Sequence, residues 1–128
     1  MQEPAWLSRQ VVEILHIEQI AEHGGRPGLR DEAALESALA RPRQLFTYEE
    51  DVALPRLAAA LCIGLARGHP FVDGNKRVAL LASYAFLAIN GRHLEADETQ
   101  TAEMIELVAA GRLSEERLTS WIATHLRS

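Results

Sequence analysis

The sequence contains a single cysteine, Cys62, in 128 residues. An internal disulfide is therefore excluded, and so are the small secreted folds that depend on several disulfides. Because Cys62 lies within an apolar segment, we expect its thiol to behave as a small buried hydrophobic group. This cysteine usage fits a reducing, cytoplasmic setting.

Aromatic residues are also scarce, at 5% of the chain, and β-branched residues are few. Hydrophobic residues nevertheless make up 48%, with alanine and leucine dominant. This composition favours helices over strands. The length suits one domain that buries its own core without metal or disulfides. We therefore predict a single all-α domain over residues 1–128.

The chain has neither an excess of basic residues nor a long apolar run. Its net charge of −5 opposes nonspecific nucleic-acid binding, which requires a clustered basic face. The longest apolar run, 78–89, is too short to span a bilayer. The N-terminal residues include Glu3 and lack the apolar core of a signal peptide. We expect a cytoplasmic protein that binds neither membranes nor nucleic acid directly.

Lysine is nearly absent. Of the thirteen cationic side chains twelve are arginine, and Lys76 is the only lysine. A requirement for a compact ammonium group at that position would explain this distribution. Chance would explain it equally well. The two explanations stay open from composition alone.

Capping residues and helix stops divide the chain into about six helices. Gln44 to Asp51 is predicted to be an irregular acidic turn, and Trp121 is predicted to anchor the last helix in the core. The first predicted helix is 9–23, capped by Ser8, and the second runs for about ten residues after Asp31 and ends at Pro42. The third is 57–66, with Gly68 just past its end, and the fourth is 78–89. The fifth runs from Asp97 through Ala110, and the sixth begins after Ser114.

The polar chemistry of the middle of the chain is concentrated in 69–77, His-Pro-Phe-Val-Asp-Gly-Asn-Lys-Arg, between two apolar helices. The second half of this segment is the first turn of the next helix, which has free N–H groups and the positive end of the helix dipole. Gly74 removes side-chain bulk there, and Asn75, Lys76 and Arg77 add donors. The segment therefore predicts a phosphate site.

The two cations in this first turn oppose the helix dipole, at a cost of about 0.3–1 kcal/mol each at exposed sites. A bound polyanion would reverse the sign of that interaction for Lys76 and Arg77. This is the strongest argument from the residues alone for a phosphate ligand.

Other residues of the segment each have two interpretations. His69 is either a general base for an attacking hydroxyl or a histidine bonded to a nearby backbone carbonyl. Asp73 is either the N-cap of the following helix or a Mg²⁺ ligand beside bound phosphates. Asn75 either orients the loop backbone or contacts a phosphate. We expect Phe71 to point into the core.

The segment resembles the signature of the Fic/Doc superfamily, H-x-F-x-D/E-G-N-x-R. Fic AMP-transferases usually have glycine at the position of Lys76 and a second arginine at the position of Leu80, so the chain is more similar to the Doc (death-on-curing) branch. The N-terminal half, from Leu15-His16 through 35–39, also resembles Doc, and the resemblance covers essentially the whole chain. The six matching residues are His69, Phe71, Asp73, Gly74, Asn75 and Arg77.

The resemblance implies a compact helical Fic/Doc domain with the motif loop between two central helices. It also implies a toxin that transfers the γ-phosphoryl group of ATP to a serine or threonine hydroxyl of a translation factor, elongation factor Tu. His69 would be the general base and Asp73 would hold Mg²⁺. Gly74, Asn75, Lys76 and Arg77 would bind the nucleotide phosphates, with the last two also acting in catalysis.

Two features depart from the family pattern. Leu81 replaces a polar residue that some Doc proteins have, which puts that contact with the site in doubt. The internal [S/T]-x-x-x-E-[G/N] inhibitory helix of many Fic enzymes is not found, since 99–103 is followed by Met104. Inhibition is therefore expected in trans, from a Phd-type antitoxin whose disordered tail folds on the toxin.

Two other functions are retained as alternatives: protein adenylylation of the Fic type, and a non-catalytic module that binds an antitoxin. The loop from Gly24 to Arg30 is a candidate for docking the target protein.

Overall fold

A side-chain oxygen caps the start of four helices in the computed structural model, which describes residues 2–128. Ser8, Asp31, Asp97 and Ser114 each accept a hydrogen bond from the backbone N–H three residues later, as predicted. The elements in chain order are α1 (Arg9–His23), α2 (Glu32–Tyr48), α3 (Leu54–Gly68), α4 (Asn75–Ile89), β1 (His93–Leu94), α5 (Glu98–Ala109), α6 (Glu115–His125) and β2 (Leu126–Arg127).

Helix α3 forms the centre of the domain, because nine of its fifteen residues are buried. It packs against α2, α4, α5 and α6. Leu57, Leu61 and Leu65 are fully buried. At Gly64 a Cβ would lie 2.9 Å from Cα of Ala38, so glycine permits the close approach of α2 and α3. This buried centre confirms the all-α prediction.

Cys62 lies inside α3 and is 1% exposed, as predicted. Burial raises the pKa of its thiol to about 11, although a hydrogen bond with Ser83 acts in the opposite direction. The thiol is therefore a neutral core group rather than a reactive one.

Helix α4 packs against α3, α1 and α5. After it, β1 pairs antiparallel with β2, with His93 opposite Arg127 and Leu94 opposite Leu126. This ribbon fastens the end of α4 to the C-terminal residues. Within residues 2–128 no helix has both the length and the apolar character needed to cross a bilayer.

Helix α2 corrects two predictions. Pro42 was expected to end it, yet the helix continues to Tyr48 with Pro42 buried inside it. The missing N–H costs one hydrogen bond, but Leu45 and Phe46 pack on the core and favour the helical conformation beyond it. The predicted irregular segment is thus confined to Glu49–Asp51.

Trp121 is also placed differently from the prediction. Leu118 and Ile122 are the fully buried residues of α6, whereas Trp121 is half-buried at the edge of the core. Its ring lies over that of His125, with 4.3 Å between the ring centroids. Trp121 therefore covers the core rather than filling it.

Candidate active site

The motif loop, residues 69–74, connects α3 to α4. Gly68 is the last residue of α3, not the residue after it as predicted, and His69 takes the left-handed conformation at φ 49°, ψ 54°. This conformation is uncommon for a residue with a side chain. Arg30 stabilises it, because its Nε donates to the His69 carbonyl at 2.8 Å.

The imidazole of His69 is exposed and makes no hydrogen bond with any other part of residues 2–128. The alternative of a histidine bonded to a nearby carbonyl is therefore not found. A free, accessible ring nitrogen is what proton transfer from a substrate hydroxyl requires.

Asn75 and Phe71 fix the shape of the loop. The Asn75 amide accepts from the Phe71 N–H at 3.0 Å and donates to the Phe71 carbonyl at 2.9 Å. Phe71 is 3% exposed, which confirms its predicted place in the core. Asn75 thus orients the backbone, the first of its two interpretations, and its own backbone N–H group is left for a ligand.

Helix α1 supports the loop from behind. Its buried residues include His16, whose Nε2 donates to the Asp73 carbonyl at 2.7 Å and whose ring stacks on Phe71 at 3.9 Å. Nε2 of Gln19 donates to the Gly74 carbonyl at 3.4 Å. His16 is therefore a buried structural histidine. Gln19 was missed, although its position one helical turn after His16 places both side chains on the same face of α1.

The first turn of α4 exposes a row of backbone donors. Within the described chain, the N–H groups of Gly74, Asn75, Lys76 and Arg77 donate to no acceptor. The first bonded N–H is that of Val78, which donates to the Gly74 carbonyl at 3.0 Å. Four adjacent free donors at the positive end of a helix are an arrangement that suits an anionic ligand.

Asp73 is not the N-cap of α4. Gly74 occupies that position at φ 77° and makes no side-chain cap. This extra left-handed residue turns the Asp73 carboxylate toward the loop 24–30, where Oδ2 accepts from the Arg26 N–H at 2.8 Å. Its Oδ1 has no hydrogen-bond partner in residues 2–128 and remains open to another ligand.

The donor set at Asp73 suits Mg²⁺ shared with a nucleotide. No group of three or more histidine, cysteine, aspartate or glutamate residues forms a metal site in the described chain. Mg²⁺ on nucleotide phosphates, however, needs only one or two carboxylates, with phosphate oxygens and waters as the other ligands. Oδ1 of Asp73 meets that requirement.

A cavity of about 600 Å³ opens between α4 and α5. Gly74 to Arg77 form its polar end, and Leu80, Tyr84 and Ile105 are among its apolar lining. Leu80, at the position of the second arginine of AMP-transferases, is thus part of an apolar wall. Leu81 does not line the cavity.

The two cations of the motif differ in their environment. Nζ of Lys76 pairs with Oε1 of Glu106 on α5 at 2.7 Å. Arg77 is exposed and pairs with no acidic residue in 2–128. Glu106 was missed because nothing in the sequence links it to a lysine thirty residues earlier.

The loop 24–30 lies against the motif loop. The Val72 N–H donates to the Gly28 carbonyl at 3.0 Å, and the Arg30 N–H donates to the Pro70 carbonyl at 2.7 Å. The candidate target-docking loop is therefore next to the residues predicted to carry the chemistry.

Known proteins are similar in sequence to this chain. A Toxin Doc from Mycolicibacterium smegmatis is 52% identical over 77 residues, 58% of this chain and 58% of that protein. The chain thus matches less than two thirds of that relative's length. The Protein kinase doc of Escherichia phage P1 is 35% identical over 100 residues, 78% of this chain and 79% of that protein.

The model of the Fic/DOC family matches residues 6–87, which include α1 to α3, the motif loop and most of α4. The match contains the free N–H groups, the exposed imidazole of His69 and the α1 residues that support the loop. On this evidence the chain belongs to the Fic/DOC family.

Proposed function

We propose that this chain is a toxin of a bacterial toxin–antitoxin module that transfers the γ-phosphoryl group of ATP to a serine or threonine hydroxyl. By resemblance, the substrate is elongation factor Tu. The observation that carries the proposal is the row of unpaired N–H groups from Gly74 to Arg77, at the end of the loop that begins with the exposed ring of His69.

The phosphate cradle, defined as residues 74–77, supplies positioning and charge. Phosphoryl transfer proceeds through a loose transition state in which negative charge spreads over the transferred oxygens. Backbone donors fixed in direction stabilise this charge without reorganising. Lys76 and Arg77 add positive charge at the same end of the cavity.

His69 acts as the general base. A neutral ring nitrogen takes the proton of the substrate hydroxyl while its oxygen bonds to the γ-phosphorus and ADP leaves. The ring has no competing hydrogen bond within the described chain, so it is available for this proton. The left-handed backbone at His69 presents the ring outside α3.

Asp73 would hold Mg²⁺ through Oδ1, while its Oδ2 keeps the loop 24–30 in place. The metal would neutralise phosphate charge when ATP is bound. The loop 24–30 would present the target hydroxyl, because it borders the motif loop.

Transfer of the γ-phosphoryl group is favoured over AMP transfer by Leu80. AMP transfer places its developing charge on the α-phosphate, for which a second arginine is useful. In this chain the corresponding residue is Leu80, whose apolar side chain lines the cavity. One of the relatives, that of phage P1, is named a protein kinase.

The test is incubation of the protein with elongation factor Tu and ATP labelled at either the γ or the α position. The proposal predicts label on the factor from γ-labelled ATP alone. Label from the α position alone would identify an AMP-transferase. Absence of label from both, with nucleotide binding retained, would favour the non-catalytic module.

We also propose that an antitoxin segment of the Phd type, folded as an amphipathic helix, covers the outer face of α1. Val11, Ile14 and Ile17 lie one turn apart on this face and are 39%, 54% and 62% exposed. Such a stripe is suited to the apolar face of a partner helix. The opposite face of α1 supports the motif loop, so this partner would sit next to the site.

Co-expression with the antitoxin tests this second proposal. Ile17→Asp is expected to abolish co-purification of the antitoxin without reducing growth arrest. Ile89→Asp, at an isoleucine of similar exposure on α4, is the matched control and should leave the complex intact. Equal antitoxin binding by both variants would contradict the assignment to α1.

A further inference from the structure

Two successive carbonyl groups of the motif loop are held by one face of α1. The Asp73 carbonyl accepts from His16 and the Gly74 carbonyl accepts from Gln19. We propose that His16 and Gln19 are positioning residues that aim the N–H groups of the phosphate cradle at its ligand. This inference rests on the proposed function, since it names what orients the site proposed there.

In a planar trans peptide bond, the C=O of one residue and the N–H of the next point in opposite directions. A hydrogen bond from His16 to the Asp73 carbonyl therefore turns the Gly74 N–H away from α1. The Gly74 carbonyl accepts a second bond, from the Val78 N–H at 3.0 Å. The longer bond from Gln19 therefore acts together with the first turn of α4 in directing the Asn75 N–H.

The direction away from α1 is that of the cavity. Gly74 and Asn75 line the α4–α5 cavity, and no residue of α1 does. Both N–H groups are free of acceptors in the described chain. The side chains of His16 and Gln19 thus bond to the carbonyl groups of two peptide units. The N–H groups of the same two units would meet a phosphate in the cavity.

The environment of Gln19 indicates that its side-chain amide has a role other than stabilising the fold. Gln19 is 2% exposed and its Oε1 is buried without a hydrogen-bond partner in the described residues. A buried acceptor without a donor costs free energy that an apolar side chain of similar volume would not incur. The amide gains only its long contact with the Gly74 carbonyl, which is the contact that the inference requires.

His16 has two separable contacts. Its ring stacks on Phe71 with an interplanar angle of 9°, which is a packing contact. Its Nε2 hydrogen bond to the Asp73 carbonyl is the one that sets the peptide plane. Phenylalanine at this position keeps an aromatic ring for stacking and lacks the donor, whereas glutamine retains a donor of similar reach.

The experiment measures binding of inorganic tripolyphosphate by calorimetry, together with the midpoint of unfolding in urea, for each variant. We expect Gln19→Met and His16→Phe to weaken tripolyphosphate binding about five- to twentyfold, and His16→Gln to remain within about threefold of the wild type. The Gln19→Met midpoint should be equal to or above that of the wild type, because the unpartnered oxygen is removed. Gln10→Met, at an exposed position of the same helix, is the matched control and should change neither quantity.

The outcomes are distinguishable. Wild-type affinity in both Gln19→Met and His16→Phe would overturn the inference while leaving the phosphate site intact. The inference would also be overturned if tripolyphosphate affinity fell only in proportion to stability and His16→Gln bound as weakly as His16→Phe. The role of the two residues would then be structural. No binding by the folded wild type would overturn the proposed phosphate site itself, and the inference with it.

Discussion

Glu106 of α5 holds the ammonium group of Lys76 in an ion pair, with 2.7 Å between Nζ and Oε1. The pair joins the two walls of the α4–α5 cavity at its polar end. The side chains are 48% and 66% exposed, so solvent screens the pair and its contribution to stability is small. In the free protein the Glu106 carboxylate thus pairs with the ammonium group that, in the proposed function, would contact a phosphate.

Removal of the Glu106 charge is expected to strengthen ATP binding. A phosphate then no longer competes with a carboxylate for Lys76, and an exposed pair of this kind is worth up to about 1 kcal/mol, or about fivefold in affinity. Glu106→Gln should lower the Kd for ATP, measured by calorimetry, by about two- to fivefold. Glu103→Gln makes the same charge change on the same helix and should have a smaller effect; equal effects would show that net charge alone is responsible.

Loss of the His69 imidazole should separate catalysis from binding. We expect His69→Ala to lower the transfer rate by about 10²–10⁴, the usual contribution of general base catalysis. Its ATP affinity should stay near that of the wild type, because the cradle consists of residues 74–77. Rates of label transfer and calorimetric Kd values check both parts, with His23→Ala as the exposed-histidine control. Growth arrest unchanged in His69→Ala would indicate a non-catalytic source of toxicity.

Glycine is required at position 74 for two reasons, and the cost of each in free energy of unfolding can be measured separately. Its φ of 77° is unfavourable for other residues, and a Cβ there would collide with Nε2 of Gln19. Gly91 has nearly the same φ, 76°, with no atom within 4 Å of a Cβ. In urea unfolding, Gly91→Ala should therefore cost about 1–2 kcal/mol for the backbone alone, and Gly74→Ala should cost more.

The double variant Gly74→Ala/Gln19→Ala checks the second reason. It should recover part of the stability that Gly74→Ala loses, because the collision is relieved while the backbone strain remains. Strictly additive effects of the two substitutions would show that Gln19 does not limit the space at Gly74.

Cys62 makes stability depend on pH in the alkaline range. Its pKa is raised from 9.0 to about 11 by burial, so the folded protein retains the thiol proton more strongly than the unfolded chain does. The resulting stability is fully present below pH 9 and is lost as the pH rises through 11. The loss relative to Cys62→Ala should reach about 2–3 kcal/mol, at about 1.4 kcal/mol per pKa unit. Urea unfolding of both proteins at pH 8 and at pH 11 measures it; parallel decreases would contradict the assignment to Cys62.

Helix positions were predictable where local chemistry decides them. Ser8, Asp31, Asp97 and Ser114 cap helices through bonds to residues three positions later, and such bonds can be inferred from the sequence. Pro42 misled the prediction because its local effect was outweighed by the burial of Leu45 and Phe46, which depends on the tertiary fold. The motif itself was visible in the sequence, and so was its place at the first turn of a helix.

The partners of the motif were not predictable in the same way. Asp73 was one residue from a standard cap position, and only the left-handed Gly74 redirects its carboxylate to Arg26. Gln19 and Glu106 reach the motif from α1 and α5, at sequence distances that no local pattern encodes. Their contributions depend on how the helices pack.

The most direct test of the central claim is a titration of the ¹⁵N-labelled protein with ATP and Mg²⁺, followed by amide resonances, with adenosine as the comparison ligand. We expect the N–H resonances of Gly74, Asn75, Lys76 and Arg77 to shift and saturate with ATP, and adenosine to move them far less. If these four resonances stay unchanged while ATP binds elsewhere or not at all, residues 74–77 do not bind the triphosphate and the account is wrong.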